Sequence, residues 1–250
     1  MGDAVLLRLL AGYGAGPGRY RGGMGSRPAA GGGRWIEVDP ARLSRWFTGF
    51  VERHGSIAVE PGPDALRVHA FDGALAECQP PPGAPVAADL DEFVTQALSE
   101  RRLGLLLARR GGVAVGVAAG TALEVSKVDS RYVQGRTAAG GWSQQRFARR
   151  RANQARAAAD DAADVAARVL LPAVRGLAAV VTGGDRRTVE AILADPRLAP
   201  VAALRARRFL AVAQPRLATL EAAVVQARSV LIRLVEPDEP SEPPTDAAVM

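Results

Sequence analysis

The sequence predicts an α/β fold in which strands and long helices share one layered domain, preceded by a small α+β element. Three observations predict it. Apolar runs from Leu103 to Ser130 are cut to strand length by Gly111-Gly112 and Gly120-Thr121. A stripe of Phe147, Ala155, Ala158, Ala162, Val165 and Val169 then repeats at helical spacing. After that helix comes "GLAAVVTGG", an apolar run ending in a turn. With 250 residues, 48% of them hydrophobic, the chain has material for one large domain or two small ones.

Taken in order, residues 12–33 are nearly half glycine, which predicts a disordered Gly-rich arm over residues 1–34. A phosphate-cradling Gly-x-Gly-x-x-Gly is out of register there, and no strand precedes it. The small α+β element and a Pro-rich linker occupy residues 35–88. Asp39 caps and Pro40 opens a helix to about residue 54, with Leu43, Trp46, Phe47 and Phe50 on one side and Gly55 past its end. "SIAVEPG" and "ALRVHAFDG" alternate as strands, and "CQPPPGAPVAAD" excludes both helix and ladder. Residues 89–235 form the main domain. A helix over 89–101 leads into a three-strand meander; a long helix over 143–171 is stopped by Pro172; Asp185 caps the helix "RRTVEAILAD"; "RRFLAVA" is a short strand. Pro215 opens a last helix with Leu217, Leu220, Val224, Ala227 and Leu231 on one face. Residues 236–250 are an acidic, Pro-rich tail.

Composition excludes several classes. The single Cys78 can form no intramolecular disulfide and no thiol pair for a metal, which fits a reducing compartment, the cytoplasm. No segment approaches the ~20 apolar residues of a membrane span, and the N-terminus lacks the pattern of a signal peptide. A serine nucleophile at Ser143 would need a base, and the chain offers only His54 and His69; the Gly-x-Ser-x-Gly elbow also fails at Gln145. Ser143 is better placed as a helix cap. The sequence calls for no cofactor, no metal and no membrane partner.

Charge gives the functional signal. The whole chain carries +6, and setting aside Glu236, Asp238, Glu239, Glu242 and Asp246 leaves +11 on residues 1–235, a polyanion-binding balance. Lys127 is the only lysine. The concentration is local: from 131 to 168 eight arginines face Asp160, Asp161 and Asp164, a net +5. Arg146, Arg149, Arg150 and Arg151 crowd the start of the long helix, where the dipole disfavours cations by a few tenths of a kcal/mol each. Arg156 with Asp160, and Asp164 with Arg168, can pair at i,i+4 spacing and neutralise the second half. An external phosphate would turn the cost at the helix mouth into attraction. Directly ahead lie Gly140 and Gly141, which admit close approach of another surface, then Trp142 and the amides Gln144 and Gln145.

"GGWSQQRFARRRANQ" resembles the Gly-Gly-Gln loop and following helix of eukaryotic and archaeal class I peptide-chain release factors, with Arg146-Phe147-Ala148-Arg149 matching the family's run. The likeness extends from about Leu103 to Leu231, through the meander, "VVTGG" and "LADPRL", and is greatest to the VLRF branch of ribosome quality control. It implies an RNase H-like mixed sheet flanked by long helices, as in the middle domain of release factors. It also implies release of stalled nascent chains by hydrolysis of the peptidyl-tRNA ester. The partners would be the large ribosomal subunit, peptidyl-tRNA and rRNA, met by a monomer. The implied catalytic set is Gln144, with Gln145 as substitute, on a loop freed by Gly140 and Gly141. Arg136, Arg146, Arg149, Arg150 and Arg151 would hold RNA, and Trp142 would stack on a base or dock the loop on its own domain. One departure stands out: aligned without a gap, the family's glutamine falls on Trp142, so either Gln144 takes the catalytic place in a remodelled loop or catalysis is lost.

Overall fold

The computed structural model describes residues 26–130 and 144–237, with side chains except those of 144–153 and 155. They form two compact units. One comprises residues 26–80, 85–98 and 230–237, and the other residues 81–84 and 99–229.

The first unit is a six-stranded antiparallel sheet. Its strands are β1 (Ser26–Pro28), β2 (Arg34–Val38), β3 (Ile57–Pro61), β4 (Leu66–Ala70), β5 (Leu75–Cys78) and β11 (Val230–Val235), in the order β1-β2-β11-β5-β4-β3. Asp39 caps a 3-10 turn over Pro40–Arg42 through the Ala41 amide, and α1 (Leu43–His54) continues from it. Leu43, Phe47 and Phe50 of α1 and Leu90, Phe93, Val94 and Ala97 of α2 (Leu90–Leu98) join Ile36, Val38, Leu66, Val68, Ala76 and Cys78 in one core. Alternation explains the choice: Ile232 and Leu234 of β11 are buried, while Arg233 between them binds Glu77 at 2.8 Å.

The second unit is a five-stranded mixed sheet. Its strands are β6 (Arg102–Arg109), β7 (Gly112–Ala119), β8 (Ala122–Ser130), β9 (Ala179–Gly184) and β10 (Arg205–Leu210), in the order β10-β9-β6-β7-β8. Strands β6, β7 and β8 are the expected antiparallel meander, and β9 and β10 run parallel to β6. Both faces are covered. Leu106, Ala108, Val113, Val115, Val117 and Val180 pack against α3 (Gln144–Leu170) and α4 (Arg186–Leu193), beside the short α5 (Ala199–Ala203). The alternate residues Leu105, Leu107, Ala114, Val181 and Leu210 pack against Leu220, Ala223, Val224 and Ala227 of α6 (Leu217–Arg228). Burial on both sides is why these strands read as continuous apolar runs instead of alternating.

Four expectations change. The end of the predicted Gly-rich arm is ordered: β1 pairs with β2 across Gly31, Gly32 and Gly33, whose φ values of 81°, 91° and 74° make the turn that other residues resist. Leu231 is not on the last helix. That helix ends at Arg228, Ser229 is extended, and the β-branched run that follows becomes a central strand of the first sheet. The division at residue 88/89 therefore differs from the structure, which places α2 and β11 with the N-terminal unit. Asp164 is bound by Arg197 at 2.7 Å, from the 3-10 turn Pro196–Leu198, instead of the expected i,i+4 pairing with Arg168.

Candidate RNA-facing helix and loop

The site that the sequence points to is set up by the two ends of the mixed sheet. Strand β8 leaves it at Ser130, which pairs with Gly112 at the end where β6 turns into β7. Helix α3 finishes at the opposite end: the Leu170 side chain lies against Gly104, near the start of β6. The helix therefore returns along the sheet from the end at which the loop departs. Its 27 residues span about 40 Å, against about 26 Å for the 8 residues of β6. Burial on α3 follows this mismatch. Ala162, Ala163, Val165, Ala166, Val169 and Leu170 are in the core, whereas Gln154, Arg156 and Ala157 are exposed. The well-packed C-terminal turns anchor the helix to the sheet.

Gln144, Gln145, Arg146, Arg149, Arg150 and Arg151 all lie on the backbone of the first turns of α3, and no acidic residue occupies its first turn. Arg136, Gly140, Gly141, Trp142 and the cap position Ser143 lie outside the described residues. The structure thus brings the two amides and the four arginines onto one helical segment. At i to i+3 and i+4 separations, Gln145 with Arg149, and Arg146 with Arg149 and Arg150, share a side of such a helix.

The neighbouring strand end is tightly built. Gly184, at φ 101°, closes β9 where any Cβ would collide with the Ala108 carbonyl oxygen. Asp185 then caps α4, accepting from the Thr188 hydroxyl at 2.6 Å and the Thr188 amide at 2.9 Å. The Thr188 hydroxyl first, and then its amide, hold the Asp185 carboxyl below the usual carboxylate range. Sequence reading found this cap but passed over the dibasic pairs beside it, Arg109-Arg110 and Arg186-Arg187; their signal was two Arg-Arg steps, each next to a glycine turn at a strand end.

Other groups have structural roles. His54 donates from Nδ1 to Asp72 at 2.8 Å, and its Nε2 is 3.4 Å from Glu236. It is thus tied into the first unit by its ring. Burial pushes the Cys78 thiol up, so it is inert as a nucleophile. Among the described residues no group of three or more His, Cys, Asp or Glu could hold a metal. No helix of the described residues is long and apolar enough to cross a membrane.

Comparison with curated proteins gives no match. Among solved structures the chain is similar to an archaeal protein at 17% identity, covering 64% of this chain and 51% of that one with a TM-score of 0.34. It is also similar to the archaeal translation termination factor aRF1 at 17% identity, covering 64% and 48% with a TM-score of 0.37. Pelota of Archaeoglobus fulgidus gives 10% identity, 80% and 64% coverage and a TM-score of 0.28. The chain thus spans about half the length of the first two. The family model described as the Actinobacteria/chloroflexi VLRF1 release factor matches residues 101–233, which take in the mixed sheet, the meander, the whole of α3 and the capped helix α4. The chain therefore belongs to the VLRF1 release factor family.

Proposed function

We propose that this protein acts on ribosomes by hydrolysing the ester of peptidyl-tRNA on the large subunit, releasing stalled nascent chains. Family membership supports a role in termination or ribosome rescue. The observation that carries the finer reading is the placement of Gln144 and Gln145 on the first turn of α3, directly ahead of four arginines and with no acid beside them. In this reaction a water oxygen bonds to the ester carbonyl carbon, the carbon–oxygen bond to the tRNA breaks, and the water proton passes to the leaving ribose oxygen. The ester is already activated, so positioning of water is the principal demand on the protein. A glutamine amide can accept from water through its oxygen and donate through its nitrogen, and does not titrate. Gln144 orients the water, with Gln145 as the substitute. Gly140 and Gly141 let the loop enter the peptidyl transferase centre. Arg136, Arg146, Arg149, Arg150 and Arg151 hold RNA phosphates, and Trp142 stacks on a base or docks the loop.

The strand order, renumbered from β6 as 3-2-1-4-5 with strand 2 antiparallel to strand 1, supports reading the second unit as RNase H-like. We take the protein to act as a cytoplasmic monomer. A second reading is favoured by Trp142, which stands where the family has its glutamine: a ribosome- or RNA-binding module that uses the same helix without chemistry. Peptide release from purified large-subunit–peptidyl-tRNA complexes separates the two. Wild-type protein should release peptide and Gln144→Ala, with an unchanged melting curve, should not; binding without release by the wild type would establish the second reading.

A further inference from the structure

We propose that the sheet end from which the 131–143 segment departs carries a second RNA-binding surface, formed by Arg109, Arg110, Arg186, Arg187 and Arg216, which takes phosphates of a structured RNA backbone. The choice of RNA as occupant rests on the function proposed above.

Three turns meet at this end of the sheet. Arg109 pairs with Gly112 across the β6–β7 turn, and Gly112 pairs with Ser130, the last residue of β8. Ala108 pairs with Gly184, and the Asp185 amide donates to the Ala108 carbonyl, which sets the head of α4 beside Arg109. A Cβ at Gly112 would lie 3.7 Å from the Pro215 ring, which brings in the segment carrying Arg216 at the head of α6. The segments 108–113, 128–130, 183–188 and 209–216 that build this end hold five arginines against two acids, Asp129 and Asp185.

All five guanidinium-bearing residues are exposed. Two are held without using a carboxylate. Arg109 donates from Nη1 to the Ala213 carbonyl at 2.9 Å. The Arg186 Cζ sits 4.2 Å above the Phe209 ring, a cation–π seat that consumes none of its N–H donors. Asp185 lowers the potential near Arg109 and Arg187, but its Oδ2 is occupied by both Thr188 donors. Among the described residues none of the five closes an ion pair, although Arg34, Arg102, Arg197, Arg205 and Arg233 each do. Like charges gathered on three turns, two of them fixed in place and none closed into an ion pair, repel one another until an external polyanion is supplied. Phosphate suits them because the guanidinium fork matches it in geometry as well as charge. Helix α3 runs from this same end, and its first two turns carry Arg146, Arg149, Arg150 and Arg151 in the same unit.

The test uses the full chain, a fluorescein-labelled RNA hairpin and anisotropy titrations across a KCl series. R110E/R187E should bind the hairpin at least ~10-fold more weakly, and the slope of log affinity against log salt should become shallower by roughly 1.5 to 2. Q144A, run beside it, should keep wild-type hairpin affinity while losing peptide release, so a failure of the hydrolytic reading leaves this surface standing and the reverse also holds. Unchanged affinity and slope in a folded R110E/R187E would overturn the proposal. So would equally tight displacement of the hairpin by a polyglutamate of matched charge, which would mark the surface as a reader of acidic peptide. If R110E/R187E does not fold, R110Q/R216Q replaces it, with an expected loss of about 3- to 10-fold and the same overturning result.

Discussion

Where β6 begins, Arg102 closes on Glu124 at 2.6 Å, and Arg205 of β10 closes on Glu190 at 2.6 Å. Where β6 ends, Arg109 and Arg110 close on no carboxylate, and the segment leading to Arg146, Arg149, Arg150 and Arg151 departs. One sheet thus carries the same side chain under two regimes. At the first end these two arginines are spent inside the molecule, on exposed pairs worth at most about 1 kcal/mol. At the second, Arg109 and Arg110 are left for a partner, at a standing cost in self-repulsion. Charge that stays unneutralised beside neutralised charge of the same kind is the more informative of the two, because stability alone would have paired it.

The comparison breaks most visibly at the amides. Replacing Gln144 and Gln145 together by alanine should lower peptide release by about 100-fold or more, the loss expected when a donor at the reacting centre is removed, with no change in melting temperature. Full activity in that variant would remove the catalytic role from this end of the sheet. Next in size, R149E/R150E should weaken binding to an RNA hairpin by more than ~10-fold and flatten its salt dependence, whereas R102E at the paired end should leave both untouched. An equal loss from R102E would show that net charge, not position, governs binding.

A smaller effect is expected at the Asp185 cap. Asp185→Ala should cost about 1 kcal/mol in denaturant unfolding. Because the folded state holds this carboxyl below its usual range, the wild-type advantage is present above the unfolded carboxylate pKa and is lost as pH falls through the folded value; the gap between the two proteins should close in acid below about pH 4. A gap that persisted there would exclude the ionised cap as its source. Smallest of all, Arg102→Ala should shift stability by a few tenths of a kcal/mol, since both members of its pair are two-fifths exposed.

Legibility in the sequence followed locality. The meander, the Asp39 and Asp185 caps, the Pro172 stop and the Ala162, Val165 and Val169 part of the α3 stripe are written in residues a few positions apart, and each appears in the structure where the spacing puts it. What escaped was long-range. Leu231 reads as the last apolar position of an amphipathic helix until β2 and β5 are there to pair with Val230–Val235. The glycine run before Arg34 reads as disorder until β1 folds back on β2. The helix-mouth arginines were legible because they are contiguous. The rim arginines were not, because Arg109, Arg186 and Arg216 converge only through the register of β6 with β9 and the return of the chain at Pro215.

The position of β11 has a consequence for biosynthesis. Between β2 and β5 the first sheet has a missing rung until Val230–Val235 is made, so two facing strand edges, with the apolar side chains of α1 behind them, must wait while residues 99–229 are synthesised. The second unit holds all of its strands by Leu210 and its last helix by Arg228, and can close first. The N-terminal unit therefore closes its sheet only after the whole second unit has been made, and a chain cut between Arg228 and Val230 would carry a complete second unit and a first sheet lacking its central strand.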